Sequence, residues 1–308
     1  MITREWLPYR VRTAGVDWAW FGDQRLAEPF FMDTVMQRMR LPFNLVFGQR
    51  TSLDELNDIA GLATAIRPTA FIFHMSRCGS TLISQMLGAL PDAIVVSESP
   101  AFDDVCRLHV EHERKVELLR SALRVYARPR FGETRFFVKF DAWITGDLPL
   151  IREAFPDVPW IFLYREPVEV IVSHMRSPGS QMIPGNMIGL VPELDVQTSV
   201  AMGQERYCAR LLAEFCANAI AQAGDPNGIF VNYDEMPDAV TGRIAEHFRL
   251  NLSDEDRELI TAAARRDAKS PTQTFTSDRE QKRAEATDAV RAAADEFLTP
   301  IYDKLKTL

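Results

Sequence analysis

The chain has 308 residues, 46% of them hydrophobic, and its 35 basic and 43 acidic residues leave a formal net charge of −8 at pH 7. A chain of this length and composition can bury a large core. The acidic balance argues against a nucleic-acid partner or an anionic membrane, because both attract a positively charged surface. An anionic ligand must therefore be bound by a local group of basic side chains.

Neither the cysteines nor the first residues indicate secretion or membrane insertion. Charged residues interrupt the first twenty positions, which predicts no signal peptide, and no apolar run approaches the length of a membrane span. The cysteines have no metal-type spacing, and we expect free thiols in a reducing cytosol. They are Cys78, Cys106, Cys208 and Cys216. We therefore expect a cytoplasmic protein.

Residues 1–66 form a separate N-terminal piece, which we expect to be a cap on the rest of the chain. Pro29 suits the first turn of a helix. Ser52 and Glu55 have the spacing of a capping box at the start of a second helix. Two roles stay open for this piece: a cap over the acceptor and a purely structural extension.

Residues 67–308 alternate short apolar runs with helical patterns, which is typical of a parallel α/β sheet. The predicted strands are 69–75, 93–97, 135–140, 159–164 and 228–233. The predicted helices lie near 80–90, 101–127, 146–155, 167–176, 200–223, 235–249, 254–268 and 284–307. Ligands of such sheets bind at the carboxyl ends of the strands, where polar motifs follow several of these runs. We predict a three-layer α/β/α domain with a central parallel sheet.

A polar loop after the first predicted strand indicates an anion site. The apolar run that includes Phe71 and Phe73 is followed by Ser76-Arg77-Cys78-Gly79-Ser80-Thr81 and then by a helical pattern. A strand, a small-residue loop and a helix together present backbone N–H groups and a helix dipole to an anion. A capping loop without a ligand is the alternative. The mononucleotide loop G-x-x-x-x-G-K-[ST] is only half present, since Ser80 stands in the Lys position, which argues against ordinary ATP chemistry.

At these residues the sequence resembles the sulfotransferases that use 3'-phosphoadenosine 5'-phosphosulfate (PAPS). Arg77-Cys78-Gly79-Ser80-Thr81 matches the family's loop of a basic residue, a small residue and Gly-[ST]-[ST]. The resemblance is to sulfotransferases of the bacterial type and implies a P-loop NTPase-like fold. It further implies in-line transfer of a sulfuryl group to a hydroxyl or amine, without a metal. It also implies that residues 78–81 bind the 5'-phosphate and that Arg77 stabilises charge on the bridging oxygen. Cys78 stands at a helix start, where a thiol has a lowered pKa, but we expect it to serve packing.

A second motif strengthens the resemblance. Arg165 and Ser173 fit the family pattern R-[DNE]-P-x-[DE]-x-[VI]-x-S, whose Arg and Ser bind the donor's 3'-phosphate. An Arg offers a planar fork to phosphate, and a Ser two helical turns further on can face the same pocket. The alternatives are an ion pair between Arg165 and Glu169 and an ordinary polar helix residue at Ser173.

Two weaker matches would complete the donor site. Tyr233, in Tyr-Asp-Glu-Met, corresponds to the Tyr that packs near the adenine ring in the family, although a half-buried Tyr at a strand end is the alternative. The family's last donor contact is a basic segment near the C-terminus, which we assign to Arg279, with Lys282 as the other candidate. A solvated helix start is the alternative for both.

The general base is predicted at the end of the second strand of the domain. Family members often have a catalytic Glu or His there, and we assign Glu98, expecting burial to raise its pKa. Asp103 and Asp104 are alternates, and an acid at a helix N-terminus is the structural alternative. Lys139 matches the family's Lys-[ST]-P-x-H segment and is assigned to catalysis.

The same segment departs from the family after its Lys. Asp141 and Trp143 stand where the family often has Pro and His, which puts the acceptor side in doubt. Residues 177–192 mix Gly, Pro and Met without a period, and such a long loop is often a lid. The acceptor is expected to be small or medium-sized, and its identity and the oligomeric state, including a homodimer, stay open.

The predicted function is therefore sulfuryl transfer from PAPS, with 3'-phosphoadenosine 5'-phosphate (PAP) as the product. One alternative is a small-molecule kinase with a variant P-loop, which would need Mg²⁺ and an acid such as Asp141. The other is a non-catalytic nucleotide-binding module. A 3'-phosphate pocket at Arg165 and Ser173 would distinguish a sulfotransferase from a kinase, because ATP has no 3'-phosphate.

Overall fold

The structure is a computed structural model and describes residues 2–26, 29–187, 189–191, 194–265 and 279–308. Its N-terminal part contains an antiparallel sheet of three strands and three helices. The strands are β1 (Trp6–Arg12), β2 (Gly15–Trp20) and β3 (Gln49–Thr51), and the helices are α1 (Phe31–Met39), α2 (Pro42–Val46) and α3 (Leu53–Leu62). The predicted capping box is present, because the Ser52 side chain accepts from the Glu55 N–H and Glu55 accepts from the Ser52 N–H.

The predicted central sheet is confirmed. Its five strands are β4 (Ala70–His74), β5 (Ala93–Ser97), β6 (Arg135–Lys139), β7 (Trp160–Tyr164) and β8 (Gly228–Asn232), all parallel, in the order β5-β6-β4-β7-β8. Every residue of β4 and of β7 is buried. Because neighbouring residues of a strand face opposite sides, both faces of the sheet must be covered by other layers.

Helices follow the central strands along the chain. They are α4 (Ser80–Gly88), α5 (Pro100–Arg107), α6 (His112–Tyr126), α7 (Leu148–Ala154), α8 (Pro167–Arg176), α9 (Val196–Ala201), α10 (Gln204–Ile220), α11 (Arg243–His247), α12 (Asp254–Ala263), α13 (Arg279–Glu285), α14 (Asp288–Ala293) and α15 (Thr299–Leu305). None of the helices in the described part of the chain is long and apolar enough to cross a membrane.

Three predicted helices differ from the structure. The predicted helix 101–127 is two helices, because the chain leaves helical geometry at Leu108 before α6 begins. The predicted helix 235–249 is reduced to short 3₁₀ turns and α11. The predicted helix 284–307 is interrupted at residues 286–287, between α13 and α14, and contains a π-helical turn at Ala294–Leu298. The end of the predicted helix 254–268 lies outside the described residues.

The N-terminal sheet packs on α5 and α6. Asp104 in α5 accepts hydrogen bonds from the Val11 N–H (2.8 Å) and the Arg10 guanidinium (2.9 Å). The Arg128 guanidinium donates to the Trp6 carbonyl at 2.6 Å, and Trp6 belongs to the same hydrophobic core as the central strands. Asp104, an alternate for the base, therefore connects two parts of the fold.

Candidate active site

A cavity of about 490 Å³ lies where the central strands end. Among the residues that line it are eight that the sequence predicts for the site: Arg77, Gly79, Ser80, Thr81, Glu98, Arg165, Ser173 and Tyr233. They come from the segments after β4, β5, β7 and β8 and from α8. The topology thus brings the separate motifs to one edge of the sheet, as expected for the carboxyl ends of parallel strands.

The loop between β4 and α4 has the backbone shape of an anion site. Ser76, Arg77 and Gly79 have φ angles of 75°, 51° and 94°, and Gly79 is the N-cap of α4. Left-handed residues in succession turn backbone N–H groups toward a common concave side. The first turn of a helix also leaves N–H groups without intrahelical partners. Gly79 is required for two reasons. Its left-handed φ of 94° is unfavourable for residues with a side chain, and a Cβ at this position would lie 2.6 Å from Cδ2 of Tyr233.

Arg77 and Ser173 contact each other across the cavity. Ser173 lies near the end of α8, whose start is fixed by Pro167 and by the Glu166 carboxylate, which accepts from the Glu169 N–H at 2.9 Å. The Arg77 Nε donates to the Ser173 Oγ at 3.0 Å. The predicted 5'-phosphate loop and the predicted 3'-phosphate helix are therefore directly connected.

Arg165 forms an ion pair with Glu169, which the sequence allowed as the alternative to phosphate binding. Arg165 also lines the cavity. Its Nε lies 2.7 Å from Oε2 of Glu169, and its guanidinium lies 4.2 Å from the centre of the Tyr233 ring. Glu169 is fully buried and also pairs with Arg283, at 2.9 Å. Glu169 therefore holds Arg165 against the wall of the cavity, where its fork can also face a ligand.

The C-terminal basic residues lie beside this ion pair, on α13. The Arg279 guanidinium is 5.4 Å from the Tyr233 ring and forms ion pairs with Asp234 and Glu169. Lys282, the other candidate, lines the cavity and is 6% exposed. Residues 274–278 of the predicted basic segment lie outside the described residues.

At the opposite end of the cavity, Glu98 lies between two basic side chains. Its Oε1 is 2.9 Å from the Lys139 Nζ and 3.4 Å from the His74 Nε2. The Ser76 N–H donates to His74 Nδ1 at 3.0 Å, which puts the imidazole proton on Nε2, facing Glu98. Burial lowers the pKa of His74, so this imidazole is neutral near pH 7. Lys139 is fully buried behind Glu98 and acts on the cavity through it.

The expectation of a raised pKa at Glu98 is wrong. Burial alone would raise the pKa of Glu98, but the Lys139 ammonium and the nearby His74 imidazole outweigh it, and the pKa is lowered. The prediction failed because Lys139 and His74 come from two other strands, which only the folded sheet brings to Glu98. Glu98 also has a left-handed φ of 55°. The cavity thus contains an ionised carboxylate at neutral pH.

The expectation of a lowered pKa at Cys78 is also wrong. Burial raises the pKa of the Cys78 thiol to about 12. The Sγ donates to the Leu163 carbonyl of β7 at 3.2 Å, and the side chain is fully buried. Its side chain therefore packs against the sheet, as the sequence predicted.

The two alternates for the base have other partners. Asp103 accepts from the Arg107 Nε at 2.9 Å and from the Trp143 Nε1 at 2.7 Å, and Asp104 binds the N-terminal sheet. Within the described part of the chain, neither residue lines the cavity. Glu98 is the assigned carboxylate that does.

Comparisons with known proteins now bear on these motifs. The model of the sulfotransferase family matches residues 68–254, which is more than half of the chain. The chain belongs to the sulfotransferase family. A search of curated proteins finds none that matches this sequence.

Several solved structures are similar to this sulfotransferase. One from Mycobacterium avium has 15% identity and a TM-score of 0.49, covering 80% of this chain and 79% of its own. A sulfotransferase from Mycobacterium tuberculosis has 16% identity and a TM-score of 0.47, covering 89% of this chain and 88% of its own. A mouse sulfotransferase complexed with PAP has 12% identity and a TM-score of 0.45, covering 80% and 88%.

The sulfotransferase site also contains residues to which the sequence assigned no role in sulfuryl transfer. Phe30, His74, Gln181 and Asp141 line the cavity, and the Gln181 Nε2 donates to the Ser76 Oγ at 3.0 Å. Gln181 belongs to the predicted loop 177–192, whose start therefore contacts the anion loop. For sulfuryl transfer, the sequence marked Asp141 as a departure from the family pattern, and otherwise it named this residue as the acid that a kinase would need.

Asp141 is expected to destabilise the sulfotransferase. Burial and the nearby carboxylates Glu98 and Asp103 raise its pKa well above 3.8. A raised folded-state pKa means that folding takes up protons, so stability falls as the pH rises from the unfolded toward the folded pKa. Asp141→Asn should therefore raise Tm, and its advantage over the wild type should grow as the pH rises above about 4. Thermal unfolding at several pH values tests this. An unchanged or lower Tm at the higher pH contradicts it.

Proposed function

We propose that this protein transfers a sulfuryl group from PAPS to a hydroxyl or amine of a small acceptor. One observation carries the proposal: a single cavity joins a cationic end, with Arg77 and Arg165, to an ionised carboxylate, Glu98. Transfer of a sulfuryl group needs basic side chains to bind the phosphates of the donor. It also needs a base to take the proton of the hydroxyl or amine that accepts the group.

The residues at the cationic end fit a nucleotide with separate 5' and 3' phosphates. The N–H groups and hydroxyls of residues 78–81 suit the 5'-phosphate. Arg165 and Ser173, on the adjoining wall, suit the 3'-phosphate, with Tyr233 available to the adenine ring and Arg279 beside it. When bound, PAPS supplies the sulfuryl group and a leaving group already neutralised in part by these side chains.

The chain's own residues then have distinct tasks in the transfer. Arg77 offsets the negative charge that develops on the bridging oxygen. Glu98 accepts the proton of the acceptor, and Lys139, held at 2.9 Å behind it, fixes the position and charge of that carboxylate. The His74 Nε2–H faces the same carboxylate and adds to its orientation.

A kinase is less well supported by the same cavity. The Lys that a mononucleotide loop places on the phosphates of ATP is replaced by Ser80. A 3'-phosphate site formed by Arg165 and Ser173 would also have no counterpart in ATP.

Calorimetric titration with PAP, AMP and Mg-ATP tests the proposal. We expect PAP to bind much more tightly than AMP, because only PAP has the 3'-phosphate. The PAP released from PAPS would then be measured across a panel of acceptors. Binding of Mg-ATP without a preference for PAP would contradict the sulfotransfer proposal and support the kinase. Tight PAP binding without release of PAP from PAPS would support the non-catalytic module.

A further inference from the structure

The acceptor end of the cavity contains a carboxyl group without a partner. Asp141 follows β6 and lines the cavity, and within the described chain no hydrogen bond or ion pair engages its carboxyl oxygens. This differs from Glu98, which is held by Lys139 and His74, and from Asp103, which is held by Arg107 and Trp143. A partly buried carboxyl that faces a cavity without a partner leaves room for a ligand's donor.

Each of the two basic side chains that act on Asp141 is already paired with another carboxylate. Four charged groups act on it: Glu98 and Asp103 disfavour its ionised form, and Lys139 and Arg107 favour it. The Lys139 ammonium is 2.9 Å from Glu98, and the Arg107 Nε is 2.9 Å from Asp103, so each cation already has a carboxylate. If Asp141 ionises, this end of the cavity has one negative charge in excess. An anionic acceptor would be repelled there and a cationic one attracted.

Besides Tyr233, two aromatic side chains, Phe30 and Trp143, line the same cavity. The Phe30 ring centre is 4.9 Å from the Lys139 Nζ, and the Trp143 indole is fixed by its hydrogen bond to Asp103. An ammonium is stabilised by aromatic faces as well as by a carboxylate. The Phe30 ring already faces the Lys139 ammonium, so Trp143 is the ring of this pair that can face a bound cation in the same cavity as Asp141.

We propose that the acceptor of this sulfotransferase carries a cationic amino group besides the hydroxyl that is sulfated, and that Asp141 binds that ammonium. The inference rests on the proposed function and names its substrate class. In the transfer, the acceptor oxygen forms a bond to sulfur while the bond from sulfur to the bridging oxygen breaks. That electron pair leaves with PAP, and the hydroxyl proton goes to Glu98. Asp141 takes no part in these bond changes and positions the acceptor.

Binding of the cation should also change the protonation of Asp141. Because neighbouring carboxylates and burial favour its neutral form in the free protein, an incoming ammonium will drive its proton into the solvent. Calorimetric titrations in two buffers of different ionisation enthalpy detect this release, up to one proton per site. A ligand without the ammonium should release none.

The test uses three phenols on the PAP-saturated protein: tyramine, the neutral 4-ethylphenol, which lacks the amino group, and the anionic 4-hydroxyphenylacetate. We expect tyramine to bind about tenfold or more tightly than 4-ethylphenol, with proton release, and the anion to bind most weakly. Asp141→Asn should abolish both the preference and the proton release. Asp157→Asn is the control and should keep both, because Asp157 is exposed and does not line the cavity.

Three results would overturn the inference: equal binding of the three phenols, a tyramine preference that persists in Asp141→Asn, or no tyramine binding at millimolar concentration. PAP is titrated first, alone, into each variant. A protein that does not prefer PAP to AMP fails the proposed function itself. A protein that binds PAP normally but shows no preference for the amine fails only this inference.

Discussion

Glu98→Gln is expected to lower the rate of PAPS-dependent sulfation by about 10²–10⁴-fold, the usual contribution of a general base. The amide has nearly the same shape as the carboxylate but cannot accept the acceptor's proton. The affinity for PAP should stay close to that of the wild type, since Glu98 lies at the other end of the cavity from Arg165. Steady-state release of PAP and calorimetric titration with PAP measure the two quantities separately.

The same substitution has a structural effect that must be separated from the chemical one. Lys139 is fully buried, and Glu98→Gln would leave its ammonium without the carboxylate now 2.9 Å away. Breaking a buried pair in this way destabilises a fold by about 3–5 kcal/mol. The double variant Glu98→Gln/Lys139→Met removes both charges and should regain part of that stability without regaining activity. Activity near the wild-type level in either folded variant would show that Glu98 is not the base.

The lowered pKa of Glu98 also has a consequence for the pH profile. The carboxylate is ionised at every pH well above its lowered value, so it sets no acidic limb near neutral pH. A fall in kcat/KM between about pH 7 and about pH 5 would have to come from another group. The contribution of Glu98 to stability should likewise be complete above the unfolded pKa and be lost only as the pH falls through the folded one.

The central sheet could be predicted from the sequence because its strands are continuous apolar runs. β4 and β7 are buried on both faces, so their apolar runs are uninterrupted as far as His74, the last residue of β4. The N-terminal strands were missed for the opposite reason. β1 contains Arg10, and β2 contains Asp17, whose carboxylate pairs with Arg12 and Arg50. Such strands have no clean apolar pattern, and their pairing is apparent only in the fold.

The membership of the site could be predicted better than its charge states. The loop at Gly79 and the pair Arg165 and Ser173 follow from short motifs that local backbone chemistry explains. The pKa of Glu98 could not be predicted, because it depends on distances to residues of β4 and β6. The sequence also could not show that Asp141 lacks a partner, because this depends on the pairing of Lys139 with Glu98 and of Arg107 with Asp103 in the folded protein.

Arg165→Ala is expected to weaken PAP binding by about 10–100-fold, which corresponds to about 1.5–3 kcal/mol for hydrogen bonds to a charged group. AMP binding should change little, because AMP has no 3'-phosphate. The fold should survive, since Glu169 keeps its pair with Arg283 at 2.9 Å and its contact with Arg279. Arg176→Ala, at the end of α8, is the matched control, because Arg176 pairs with Glu285 outside the cavity lining and should not affect PAP.

The ratio of PAP affinity to AMP affinity identifies the phosphate that Arg165 binds. Ser173→Ala should lower the same ratio, but by a smaller factor, because it removes one neutral hydrogen bond. It also removes the 3.0 Å hydrogen bond from the Arg77 Nε to the Ser173 Oγ. A change in AMP affinity would therefore show whether this bond positions Arg77 for the 5'-phosphate. If Arg165→Ala weakens PAP and AMP equally, Arg165 serves the whole cavity rather than the 3'-phosphate, and the distinction between a sulfotransferase and an ATP enzyme has to be sought elsewhere.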